Sequence, residues 1–341
     1  MTKFLKTTLL FLLAIFGFNS AISADKEVKQ AIESFISSHN DLHAVYEFRK
    51  GAKHVVASGA NGYFSLQEKI PLRVTDELLI ASGTKNIIAA AILRLEEKKL
   101  LKTSSTIADI FPEASSLWCV DNNKKAAFPQ WANEVTIHHL LTHTSGIKEY
   151  VFNIKIDPTK PHEEINKQIL HFAAQHQLAF TPGEKYDYNN TGYVILGMII
   201  EKLTHKNLAL YLREAFFEPL GMHKTHMASL QEVVDYRKGE IKHYPELYFA
   251  HFVGDKFTLS RAETSFFFVP YADGGVISTA HDIATWHYSL HNGKVLGSKA
   301  YKKMIKPYIA APELYMPNRH YGYGIFINNP NNKDVVYYHS G

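Results

Sequence analysis

The chain is short of several features, and each shortage removes a class of protein. Cys119 is its only cysteine, so no intramolecular disulfide can form and no lipid-modified cysteine is available near the start. The longest apolar run, from Leu9 to Phe18, is too short to span a bilayer. Neither charge predominates: the net charge is +4, and the lysines and arginines are scattered, not gathered into a stripe, so no nucleic-acid partner is expected. No G-x-G-x-x-G and no lysine-bearing P-loop accompanies Gly274-Gly275, which reads as a structural turn. The 19 histidines include one zinc-like spacing, His139-Leu140-Leu141-Thr142-His143, but it lacks the glutamate of the zinc-protease helix motif. No metal and no organic cofactor is expected.

What is present begins with Lys3 and Lys6, the apolar run, and the small-residue tract Ser20-Ala21-Ile22-Ser23-Ala24. Residues 1–24 read as a secretory signal peptide cut between Ala21 and Asp25, which predicts a periplasmic or secreted protein without stable membrane insertion. Residues 25–341 suffice for one large domain or two interleaved parts, each with a real core.

The stretch that organises the chain is Ala81-Ser82-Gly83-Thr84-Lys85-Asn86, followed by the apolar run Ile87 to Leu95. Ser82 and Lys85 stand three positions apart at the start of a helix and share one face, so the amine can reach the hydroxyl. Ser-x-x-Lys alone is a weak pattern, since a helix cap with an exposed lysine looks the same. Here the helix is apolar nearly all round, which marks it as buried. Burial lowers the pKa of a lysine, and a neutral amine is what a general base must be.

Elsewhere, Asp25 to Ser38 has a helical stripe expected to cover a sheet, and Ala44–Phe48 and His54–Ala57 read as a hairpin about Gly51. Val135 to Leu141 reads as a short helix with Gly146 as its cap, and Ile165 to Gln177 as an amphipathic one. The polar loop Thr181 to Gly192 opens the apolar helix Tyr193 to Leu203, and its Tyr188 and Asn190 are spaced to point into one cleft. Thr279 and Asp282 form a helix-capping pattern. Tyr321 to Ile327 and Val335 to Gly341 read as a closing hairpin whose second strand ends abruptly.

Taken together, the chain resembles the serine β-lactamase and penicillin-binding superfamily, in the branch of class C β-lactamases, D-Ala-D-Ala carboxypeptidases, D-aminopeptidases and related esterases. Three motifs carry the resemblance in the family's order: Ser82-Gly83-Thr84-Lys85, Tyr188-Asn189-Asn190 and His339-Ser340-Gly341. Flanking segments also fit, namely Leu140 to Gly146, Phe217-Glu218-Pro219-Leu220-Gly221-Met222 and Gly274 to Thr279. The resemblance implies an α+β, β-lactamase/transpeptidase-like fold. The N-terminal hairpin and C-terminal strands (about 25–80 and 265–341) would share one antiparallel sheet flanked by helices, with a mainly helical part from about 80 to 265.

It also implies roles. Ser82 would be the acylated nucleophile, Lys85 its base, and Tyr188 the proton carrier, with a pKa lowered by cations such as Lys85. Asn190 would hold the substrate's amide oxygen, and His339 and Gly341 would bind substrate. His339 replaces the family's third-motif lysine and carries charge only when protonated. The implied activity is a serine hydrolase of D-amino-acid peptides of the cell wall. The alternatives are a class C-like β-lactamase, an esterase, or a penicillin-binding sensor that acylates once without turnover. The resemblance further implies two strands and a closing helix after Gly341, whose absence would leave the sheet gapped. The residue after Gly341 would also supply one oxyanion-hole N–H, so a chain ending there is expected to be a poorly active, truncated member.

Overall fold

The helix Thr84–Glu97 is the axis on which the molecule is built, and its sequence explains why. Ile87 through Leu93 are fully inaccessible to solvent, so this helix needs cover on every side. The cover comes from helices Asn190–Thr204 and Ser298–Met304, and from a turn at residues 322–325 that lies directly on its first turn. That turn depends on glycine: Gly324 has φ +62°, and a Cβ there would stand 2.5 Å from the Lys85 carbonyl oxygen. Asn86 fastens the contact. Its Nδ2 donates to the Gly324 carbonyl at 3.1 Å, and its Oδ1 accepts from Trp286 Nε1 at 2.8 Å, all in buried surroundings.

The computed structural model describes residues 23–38, 43–65, 68–121, 124–125, 128–151, 153–157, 159–232, 248–253, 256–261, 271–314, 316–331 and 334–341. The signal-peptide reading lies outside them except for Ser23 and Ala24, which begin the helix Ser23–Ser37. That helix packs on the strand His54–Asn61, as its stripe predicts, but leaves Val28 and Phe35 exposed. Among the described residues no helix is long and apolar enough to cross a membrane.

The architecture mixes helices with antiparallel sheet. Strands Ala44–Lys50 and His54–Asn61 pair about Gly51, at φ +81°. The C-terminal sheet runs in chain order through Ile309–Ala310, Arg319–Tyr321, Phe326–Asn328 and Val336–Tyr338, every neighbour antiparallel. Among the described residues no ladder joins the hairpin to the C-terminal strands. The helix Ala280–His291 holds the hairpin instead: Arg49 of the first strand reaches Thr285 Oγ1 and the His281 carbonyl. Tyr321 to Ile327 is likewise two strands and not one, since the chain reverses at residues 322–325 to lie on the buried helix.

A small sheet ties the centre to the nucleophile. Val276–Ser278 pairs with Leu78–Leu79 on one side and His226–Met227 on the other, and Ile80 N–H donates to the Val276 carbonyl at 2.9 Å. The turn before Val276 is thereby pinned beside Ser82. Thr279 caps the following helix by accepting from Asp282 N–H, while the Asp282 carboxylate receives Lys224 N–H and Thr225 Oγ1.

Candidate active site

Ser82 sits in the one-turn 3-10 segment Ala81–Gly83 that leads into the buried helix. Ala81, just before it, has φ +43°, a left-handed conformation unfavourable for a residue with a Cβ. Lys85, one turn later, is completely buried, whereas Ser82, Tyr188, Asn190 and His339 keep part of their surface in solvent. The amine therefore stands behind the row of groups a substrate would meet.

Its hydrogen bonds fix what it can do. Lys85 Nζ lies 2.9 Å from Ser82 Oγ, 2.8 Å from Asn190 Oδ1 and 2.5 Å from the Asp273 carbonyl oxygen. Two of these partners only accept. When the amine is neutral, its two hydrogens go to Asn190 and Asp273, and its lone pair faces the Ser82 hydroxyl. Burial pulls the Lys85 pKa down to about 8, against an upward push from the carboxylates of Asp273 and Glu149. The rings of Tyr188 and Tyr193 face the same nitrogen, at 5.0 and 5.5 Å from their centroids.

Tyr188 corrects one expectation. Burial drives its phenol well above the ordinary value, and only the hydrogen bond with Ser82 pulls it back, so it remains a phenol at neutral pH. Packing against aromatic rings outweighs any help from Lys85. Such a group can pass or donate a proton but does not rest as a phenolate.

Tyr188 packs against His143, the ring centroids 4.3 Å apart and the planes tilted by 34°; sequence reading singled out that histidine only for its zinc-like spacing. The helix Ile137–Leu141 ends in a Schellman turn, with Thr144 N–H on the His139 carbonyl and His143 N–H on that of Leu140. The left-handed cap is therefore His143, at φ +57°, and not the Gly146 expected from sequence. A histidine there is strained by about 1–2 kcal/mol, and the strain sets the imidazole behind Tyr188.

From His143 the polar contacts run in one direction. Asn189 N–H donates to His143 Nδ1 at 3.0 Å, so Nε2 carries the proton and faces the Tyr321 hydroxyl at 3.2 Å. Tyr321 then donates to His339 Nε2 at 2.8 Å, and His339 Nδ1–H donates to the Ser340 carbonyl at 2.7 Å. His339 is neutral in this arrangement, and burial with Lys85 nearby lowers its pKa to about 3. Gly341 stands against the nucleophile turn, where a Cβ would lie 2.1 Å from the Ile80 carbonyl oxygen. The five other residues singled out from sequence, Lys85, Tyr188, Asn190, His339 and Gly341, thus lie around Ser82. The further polar residues there, His143, Glu149, Tyr150, Asp273 and Tyr321, had no assigned role, although Asp273 adjoins the Gly pair and Glu149-Tyr150 closely follow Gly146.

The fold and this cluster define a β-lactamase/transpeptidase-like architecture. Residues 43–341 match the Beta-lactamase family model, and the chain belongs to that family. It is 27% identical over 292 residues to penicillin-binding protein 4* of Bacillus subtilis (strain 168), covering 82% of this chain and 58% of that protein. The matched stretch spans a little over half the length of that protein and of a second Bacillus subtilis relative, and about a third of other curated relatives. Among solved structures it is similar to a penicillin-binding protein from Bacillus halodurans, with a TM-score of 0.69 and 23% identity over 89% of this chain and 85% of that one. It is also similar to a D-amino acid amidase from Ochrobactrum anthropi SV3, with a TM-score of 0.67 and 22% identity over 93% and 84% of the two chains.

Proposed function

We propose that this chain is an exported serine hydrolase that transfers an acyl group to water through an ester on Ser82. The observation that carries the reading is Lys85 Nζ at 2.9 Å from Ser82 Oγ, with its other two partners limited to accepting. In the first step Ser82 Oγ attacks the substrate carbonyl carbon while its proton passes to the Lys85 amine. Tyr188 gives a proton to the departing amine or alcohol and regains one from the Lys85 ammonium, and Asn190, steadied by Lys85, presents its amide to the substrate. Water then cleaves the ester by the reverse sequence. Export rests on Lys3, Lys6 and the run Leu9 to Phe18, and implies a periplasmic or secreted enzyme.

The substrates proposed are D-amino-acid peptides or amides, in keeping with the penicillin-binding and D-amino acid amidase relatives. A second reading, simple esters or other acyl donors without a carboxylate, is favoured by one observation. His339 is neutral, so the third motif brings no fixed cation for a substrate carboxylate. Labelling with a fluorescent penicillin tests the reading. The wild type labels and Ser82→Ala does not; equal labelling of the two would refute Ser82 as nucleophile.

A further inference from the structure

Two carboxylates face the buried amine of Lys85, and they are not alike. Glu149 is employed in holding the loop, with Oε1 accepting Val151 N–H at 2.9 Å and Oε2 accepting Asn190 N–H at 2.5 Å. Asp273 is different. Its carboxylate is buried, Oδ2 accepts the Tyr150 hydroxyl at 2.7 Å, and among the described residues no other residue hydrogen-bonds Oδ1. A carboxylate buried with so few donors is costly unless an opposite charge compensates it. Lys85 supplies that charge, since its Nζ is bonded to the carbonyl of the same Asp273. The turn needs only that carbonyl to hold Lys85, which any residue would provide. An acid at this position adds charge.

Tyr150 is built to hold the acid in place. Its N–H donates to Thr191 Oγ1 at 2.9 Å, and the Thr191 hydroxyl donates to the Lys148 carbonyl at 2.9 Å, which straps the loop to the helix that carries Asn190.

We propose that Asp273, held by Tyr150, is a positioning residue that sets the charge on Lys85 and thereby governs when Ser82 can be activated. The inference rests on the Ser82 reading above and deepens it. Burial pushes the Asp273 carboxyl up, while Lys85 and the Tyr150 hydroxyl pull it back toward ionisation; once ionised it favours the ammonium, which is also the product of the proton transfer from Ser82. It therefore raises the pH at which the free amine appears while making that amine a stronger base. The other groups around Lys85 do not replace it. Tyr188, Tyr193 and Tyr150 are held as phenols by burial, and His143 and His339 are held neutral, with Lys85 among the charges that disfavour their protonation. Glu149, whose own carboxyl is pushed up by burial, stays on its two backbone amides.

The test is a direct titration of Lys85 in protein labelled with 13C at lysine Cε, its resonance identified by its absence from Lys85→Met. In Asp273→Asn, which keeps an acceptor for Tyr150, the midpoint is expected to fall by about one pH unit or more. Tyr150→Phe, which leaves Asp273 ionising less readily, moves it the same way by less. The acid limb of the acylation rate moves down with the midpoint, and the plateau rate drops. An unmoved or raised midpoint in Asp273→Asn overturns the proposal; if that variant does not fold, Tyr150→Phe decides by the same criterion. Ser82→Ala keeps the two readings apart: acylation retained there defeats the Ser82 reading, while acylation lost there with an unmoved Lys85 defeats only the role of Asp273.

Discussion

The Tyr321 hydroxyl donates to His339 Nε2 at 2.8 Å and so occupies the only lone pair through which that imidazole could gain a proton. Tyr321→Phe removes the donor that the neutral imidazole accepts, so the His339 pKa is expected to rise from its value of about 3. A 1H–13C titration of the histidine rings checks this. His339 stays unprotonated from pH 5 to 8 in the wild type and begins to titrate at higher pH in the variant; no change would show that Tyr321 does not set its charge.

Acid stability follows from the same burial. His138 and His291 are lowered to about 4, and His287 and His339 to about 3, chiefly by desolvation. For a base whose folded pKa is depressed, both states are neutral at high pH and the unfolded chain binds protons first as the pH falls. Stability is therefore full above the unfolded value of about 6.5 and is lost progressively as pH drops toward 4 and 3, each deeply buried group contributing up to roughly 1.4 kcal/mol per pH unit in that window and the more exposed His138 less, because solvent screens it. Urea midpoints measured at pH 7.5 and 5 are expected to fall steeply, and a flat profile would contradict the neutral assignments.

Asn86 is the joint between the nucleophile helix, the Gly324 turn and Trp286. Asn86→Ala strands a buried indole N–H and a buried carbonyl, at about 1–3 kcal/mol for each orphan. Denaturant unfolding should show a loss of roughly 2–6 kcal/mol on that basis with the m-value unchanged.

Gly324→Ala acts on the same joint from the other side. Its φ of +62° and the 2.5 Å approach to the Lys85 carbonyl leave no room for a Cβ, and the atoms that must yield are backbone of the nucleophile helix. Both stability and acylation rate should fall, with Lys85 displaced from Ser82. Wild-type acylation by Gly324→Ala would mean that the turn does not fix the helix start.

Much of this was legible in the chain itself. The run Ile87 to Leu95 could only be a buried helix, and Gly51 between two β-rich stretches could only be a hairpin turn. Ser82, Lys85, Tyr188, Asn190, His339 and Gly341 fall on short motifs whose spacing follows from local geometry. What could not be read arises from contacts distant in sequence. Tyr321 lies 178 positions from His143 and Tyr150 lies 123 from Asp273, and no local pattern links either pair. The phenol of Tyr188 was expected to be acidified by Lys85 because charge is visible in a sequence, whereas the rings that desolvate it are not. His143 as a left-handed cap was hidden behind a glycine that is the better cap by propensity alone.

The central claim is that Ser82 becomes acylated with Lys85 as its base, and the most direct measurement maps the adduct while following its rate with pH. A fluorescent penicillin or a p-nitrophenyl ester is allowed to react at a series of pH values, and the modified peptide is identified by tandem mass spectrometry. The account predicts an acyl group on Ser82, formed at a rate that rises through a pKa of about 8 and is lost by roughly 10²- to 10⁴-fold in Lys85→Ala. An adduct on any other residue, or a rate indifferent to both pH and Lys85, would contradict it.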